Sequence, residues 1–205
     1  MEIIPPVILL LVLIFVIGSI LAVWKMTPAT QIPIVKAIDF EDLPQFAIEA
    51  ANRTREAVAN LNFSYVGAFD CSMMQGQTSH LIIYINEPHT IEYAVLAVSN
   101  GEGNKAAVDE FCSTLLPHGE LATNNHSIAN PFAEVADHFI LQMPGIKDVS
   151  QLYSHHLEHL AVLEGSGFSA ARVNEASLGE RVAGTIRHTH EIQVEKGRSR
   201  RLRTV

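Results

Sequence analysis

The chain has 205 residues, a formal charge of −8, 48% hydrophobic and 18% charged residues, with a mean hydropathy of +0.18. These values exclude a disordered chain, a collagen-like chain and a multi-span membrane protein, and two cysteines cannot make a disulfide framework. The apolar excess has one source: Ile3 to Trp24 hold 18 apolar side chains out of 22, with no charge between Glu2 and Lys25.

As a helix, residues 3–24 are about 33 Å long, enough to cross a hydrocarbon core of roughly 30 Å. Trp24 and Lys25 supply an interfacial aromatic and a cation at the exit. A cleaved signal peptide needs a basic start, a shorter apolar core and small residues at the cleavage point. The Met-Glu start and Ile20, two residues before Ala22, do not supply them. Residues 1–25 are therefore read as a retained transmembrane anchor, in contact with the lipid bilayer through residues 3–24. Lys25 and Lys36 follow the span and only the terminal amine precedes it, a small bias that favours the soluble domain on the cytoplasmic side. Sequons at Asn52, Asn62 and Asn125 point the other way only in a cell that glycosylates.

Residues 26–37 carry Pro28 and Pro33 and read as an extended tether; 38–195 form a domain and 196–205 a basic tail. From Asp39, the residues Leu43, Phe46, Ala47, Ala50, Ala57, Val58 and Leu61 follow one apolar stripe at helical spacing. Asp39 or Asp42 can cap this helix, with Pro44 in its first turns. Strand-like runs follow at Ser64–Cys71, Ser79–Asn86, Thr90–Ser99, Ala107–Leu116 and Glu120–Asn124, separated by Gly-, Pro- and Asn-containing turns. Connections this short place neighbours antiparallel. The runs SHLIIYIN (79–86) and IEYAVLAV (91–98) are apolar on both faces and make the central pair. A further strand is expected at His138–Met143. A helix is expected from Val149 to Glu164, started by Asp148 and stopped by Gly165, and a last one over Asn174–His188, weakened by Gly179 and Gly184. The order predicts an α+β fold: a transmembrane helix, then one domain in which an antiparallel meander of about five strands is packed by helices on one sheet face.

Charge is unevenly divided. Residues 26–195 hold 8 Lys/Arg against 21 Asp/Glu, a balance of −13, while KGRSRRLRTV at 196–205 carries +5. So acidic a domain repels phosphates, and no nucleic-acid partner is expected. The tail is either a solvated end or a contact for anionic headgroups or nucleic acid.

One pattern resembles chemistry. In Tyr153-Ser154-His155-His156-Leu157-Glu158-His159-Leu160, residues His155, Glu158 and His159 fit H-x-x-E-H, a zinc signature of inverted-motif metallopeptidases. Histidines at i and i+4 share a helix face and can bind one zinc while the carboxylate activates a water. The string HHLEHL resembles the zinc-binding stretch of the pitrilysin family over about six residues, which implies a third ligand, a glutamate many tens of residues downstream. Here 46 residues remain after His159, with Glu164, Glu175, Glu180, Glu191 and Glu195 at the wrong spacing. The apolar arc of this helix centres near Leu160 and includes His156, which makes His156 a core residue and directs Glu158 toward solvent.

Cys71 and Cys112 fall on strand-like segments and read as buried free thiols, with a disulfide open in an oxidising compartment. The run Thr123-Asn124-Asn125-His126-Ser127 reads as a loop bonding its own backbone, or as the lining of a pocket at a sheet edge. No Gly-x-Ser-x-Gly elbow or nucleophile–base pair is present in the spacing. The expected protein is a single-pass membrane protein whose domain binds an unknown protein or small-molecule partner without catalysis. No catalytic residue, metal ligand or cofactor is assigned. The alternative is a membrane-anchored zinc hydrolase with His155 and His159 as ligands and Glu158 as base.

Overall fold

A computed structural model describes residues 29–30, 35–71, 77–100, 102–127, 138–195 and 200–201. The expected anchor at 1–25 lies outside them, and among the described residues no helix is long and apolar enough to cross a membrane. In chain order come strand β1 (Lys36–Ile38), helix α1 (Gln45–Asn60), and strands β2 (Phe63–Asp70), β3 (Gln77–Asn86), β4 (Glu92–Asn100) and β5 (Lys105–Leu116). Then follow β6 (Glu120–Asn124), β7 (His138–Gln142), helix α2 (Val149–Gly165), β8 (Ser169–Ala170) and helix α3 (Leu178–Glu195).

Strands β1 to β7 lie side by side in that order, and β8 pairs with the end of β5. The two strands with apolar residues on both faces, β3 and β4, sit in the interior of the sheet, where both faces need cover. Their hairpin is closed by Asn86, whose Oδ1 accepts from the backbone N–H groups of Thr90 and Ile91 at 3.0 and 2.9 Å. The sheet is larger than the five strands expected. Lys36 and Ala37, assigned to the tether, pair with Asp70 and Phe69 as part of β1; three residues are too few to show an alternation. The last pair, β6 and β7, is parallel, which the segment between Asn124 and His138 is long enough to allow.

Helix ends also differ from the sequence expectation. Asp39 and Asp42 do not cap α1: Phe40–Asp42 form a 3-10 turn, Leu43 is extended with ψ 144°, and Pro44 occupies the N-cap position. A proline disfavours helical geometry in the residue before it, so the helix begins only after Pro44. Asn62, at φ +62°, ends it in the left-handed conformation that asparagine tolerates. Asp148 caps α2 by accepting from the Ser150 N–H at 2.9 Å. Gly165 lies inside α2, and Gly167, at φ +98°, makes the exit turn. Beyond it, α3 runs to Glu195, farther than the expected His188.

Helices cover both faces of the sheet, not one. On the first face, Ala47, Ala51 and Val58 of α1 and Leu152 and Leu160 of α2 pack on Ala68, Ile82, Tyr93, Val95 and Phe111. Tyr93 and Phe111 are fully buried, with ring centroids 4.9 Å apart. On the second face, Leu178 and Val182 of α3 pack on Phe69, Ile83 and Ile85. Each of the Leu, Ile, Val and Phe side chains among these contributes about 1.5–3 kcal/mol when fully buried. A Cβ at Gly179 would sit 3.4 Å from the Phe69 ring, so the glycine that weakens the helix locally lets it approach the sheet. The second helix layer follows from β3 itself, whose Leu81, Ile83 and Ile85 face away from α1 and would otherwise meet water.

Candidate functional site

Two buried polar networks lie beneath α1 and α2. Asp109 of β5 is 2% exposed, and its two carboxylate oxygens accept from Arg53 Nη2 of α1 at 2.9 and 2.8 Å. They also accept from the Tyr93 phenol and from Asn125 Nδ2, each at 2.8 Å. Asn125 Oδ1 in turn accepts from the Asp109 N–H at 3.0 Å. With its acceptors occupied, Asp109 fastens α1 to the sheet and is not a reactive group. Farther along β5, the imidazole of His156 is fully buried, with Nε2 3.0 Å from Ser113 Oγ and Nδ1 3.0 Å from Thr123 Oγ1. Burial, with a smaller effect of His159, lowers its pKa to about 4, so it remains neutral and ties α2 to the sheet.

The H-x-x-E-H residues face the opposite way. His155 Nδ1 lies 3.1 Å from Glu158 Oε2, and the Glu158 side chain is 67% exposed. His159 Nδ1 donates to the backbone carbonyl of His155 at 2.9 Å. Of the downstream glutamates, Glu164 lies in the last turn of the same helix, Glu175 lies 3.0 Å from His89, and Glu180, Glu191 and Glu195 belong to α3 on the other side of the sheet. Among the described residues, no group of three His, Cys, Asp or Glu side chains is arranged to hold a metal ion.

The α3 face carries a different set of groups. Strand register places Glu92 opposite Cys112, Glu110 opposite Asn124, and Thr114 opposite Glu120. Side chains alternate between faces, so three carboxylates and a thiol from three adjacent strands share this one. Arg181, in the first turns of α3, forms an ion pair with the buried Glu92. Glu110 accepts from Asn124 Nδ2 at 2.8 Å and from the Cys112 thiol at 3.4 Å. Glu120 is half-buried; burial first, then Glu110 and Glu92, raise its pKa to about 7, with Arg181 opposing. Burial and the same carboxylates raise the Cys112 thiol well above its usual range. It is therefore a protonated hydrogen-bond donor and a poor nucleophile. Burial, with Asp70, likewise raises Cys71 to about 12, and both cysteines are free.

Among the described residues, Arg181 pairs with Glu92 and acts on Glu120 within this group of three carboxylates, in surroundings where charges interact more strongly than in water. Such a cluster can hold a cationic group and can take up one proton at Glu120 near neutral pH. Sequence spacing did not reveal it, because Glu92, Glu110 and Glu120 are joined only by strand register. The available signal was a glutamate in each of three consecutive strand-like runs, at Glu92, Glu110 and Glu120. The expected polar run at 123–127 is divided between the two faces: Thr123 bonds His156, while Asn124 bonds Glu110 and accepts from the His126 N–H at 3.2 Å. No protein-family model, curated protein or solved structure matches the chain.

Proposed function

We propose that the chain is a single-pass membrane protein whose domain binds a cationic segment of a partner protein at the Glu92–Glu110–Glu120 cluster, without catalysis. Glu120 carries this proposal. It is a carboxylate set among two others, half-buried, with its pKa raised to about 7. Carboxylates so close repel one another, and a lysine or arginine from a partner would relieve that repulsion. A cation is favoured over an anion because residues 26–195 carry −13.

The anchor rests on the apolar run that ends at Trp24 and Lys25, and the small lysine bias after it favours the cytoplasmic side for the domain. Binding is favoured over catalysis because Cys112 is held as a thiol and His156 is sealed under α2. A zinc hydrolase would need a third ligand brought to the solvent face of α2.

The test is titration of a tetra-arginine peptide into the full chain in detergent. Binding is expected at about pH 8 and should weaken about ten-fold one unit below the Glu120 pKa, as that carboxyl takes up its proton. It should be lost in Glu120→Gln. Equal affinity in the variant would exclude the cluster as the site.

A further inference from the structure

Arg181 already stands where the cation of a partner would bind. It forms an ion pair with Glu92, and its charge favours the ionised form of Glu120. The pair joins distant parts of the chain, since Glu92 begins β4 and Arg181 lies in the first turns of α3. Glu92 is 5% exposed, so no outside guanidinium reaches it while Arg181 stays in place. The corresponding tie of α1 is different in kind. There Asp109 takes donors from Arg53, Tyr93 and Asn125, and loss of one leaves the others.

We infer that α3 is a latch, opened when an arginine of a partner takes the place of Arg181 on Glu92. This rests on the binding proposed above and supplies its regulation. Removing the cation from a buried carboxylate is costly, whereas exchanging it for another cation leaves no charge unpaired. A cation is thus the key that fits. The helix is also suited to release: Gly179 and Gly184 lower its own helical stability. Its approach is fastened separately, by Glu175 3.0 Å from His89 and by the Val173 N–H donating to the His89 carbonyl at 2.6 Å. The helix can therefore lift without freeing the segment before it. Lifting uncovers Phe69, Ile83 and Ile85, which keeps the latch shut until a cation arrives.

The experiment titrates tetra-arginine into the full chain in detergent and follows hydrogen exchange. At saturation, amides of Leu178–Glu195 should exchange about ten-fold faster, while those of α1 are unchanged. Arg181→Gln should bind the peptide about ten-fold tighter, because the internal competitor is gone. Arg187→Gln is the control: it removes the same charge from an exposed position of the same helix and should leave affinity unchanged. Peptide binding with unaltered α3 exchange shows that the peptide shares the carboxylates with Arg181, and overturns the latch while the binding reading stands. Equal affinity in a folded Arg181→Gln does the same. If that variant does not fold, exchange in the parent chain decides. A parent that binds only after Arg181→Gln supports the latch. Absence of binding in both removes the binding reading, and the latch with it.

Discussion

Replacing Glu120 with glutamine removes a charge that the fold holds under strain. The carboxyl is raised from 4.5 to about 7 by burial and by Glu110 and Glu92. At 1.36 kcal/mol per unit the full shift corresponds to about 3 kcal/mol, which partial access to water reduces to about 1–2 kcal/mol. The folded state binds this proton more tightly than the unfolded one. Its stabilising contribution is therefore complete below pH 4.5 and is lost as pH rises through about 7. Glutamine keeps the shape and does not titrate. Glu120→Gln is thus expected to be more stable than the parent by about 1–2 kcal/mol at pH 8, with a gap that closes toward pH 4.5. Urea unfolding followed by circular dichroism across that range measures the gap. An equal gap at every pH, or a less stable variant at pH 8, would refute the claim that neighbouring carboxylates strain Glu120. A more stable chain that no longer binds the arginine peptide would mark a residue retained for binding at the expense of stability.

Asp109→Ala leaves Arg53, Tyr93 and Asn125 without their buried acceptor and should cost about 3–5 kcal/mol in urea unfolding; a loss under about 1 kcal/mol would show that α1 is held by packing alone. His156, lowered from 6.5 to about 4, contributes stability that is present above pH 6.5 and lost as pH falls toward 4. Its imidazole nitrogen resonances should therefore stay those of a neutral ring down to about pH 5, whereas a titration near 6.5 would contradict its burial. Asp148→Ala removes the side chain that caps α2 and should lower stability by about 1 kcal/mol, seen as a lower Tm; an unchanged Tm would place the start of α2 under the control of packing.

Much of the domain was legible in the sequence where one physical rule acted alone. The two-faced apolar runs at 79–86 and 91–98 became the interior strands β3 and β4, and Asp148 before an apolar arc centred near Leu160 became a capped helix. Misreadings arose where two rules competed. Pro44 overrode the acidic caps at Asp39 and Asp42 because its ring constrains the preceding residue more strongly than a side-chain bond can compensate. Gly179 counts against a helix by propensity, yet its contact with Phe69 makes it part of the α3 interface. Helices on both faces were implicit in β3, since a strand apolar on both sides needs two covers. The carboxylate cluster depends on which residues of β4, β5 and β6 stand opposite one another. That register is a product of hairpin geometry and is invisible in any single run of sequence.

Alkaline carbonate extraction of membranes from cells expressing the full chain tests the membrane location most directly. A chain held by residues 3–24 as a transmembrane helix stays in the pellet, and removal of residues 1–25 releases the folded domain to the supernatant. Release of the intact chain by carbonate would show that it is not embedded in the bilayer and would contradict the anchor on which the rest depends.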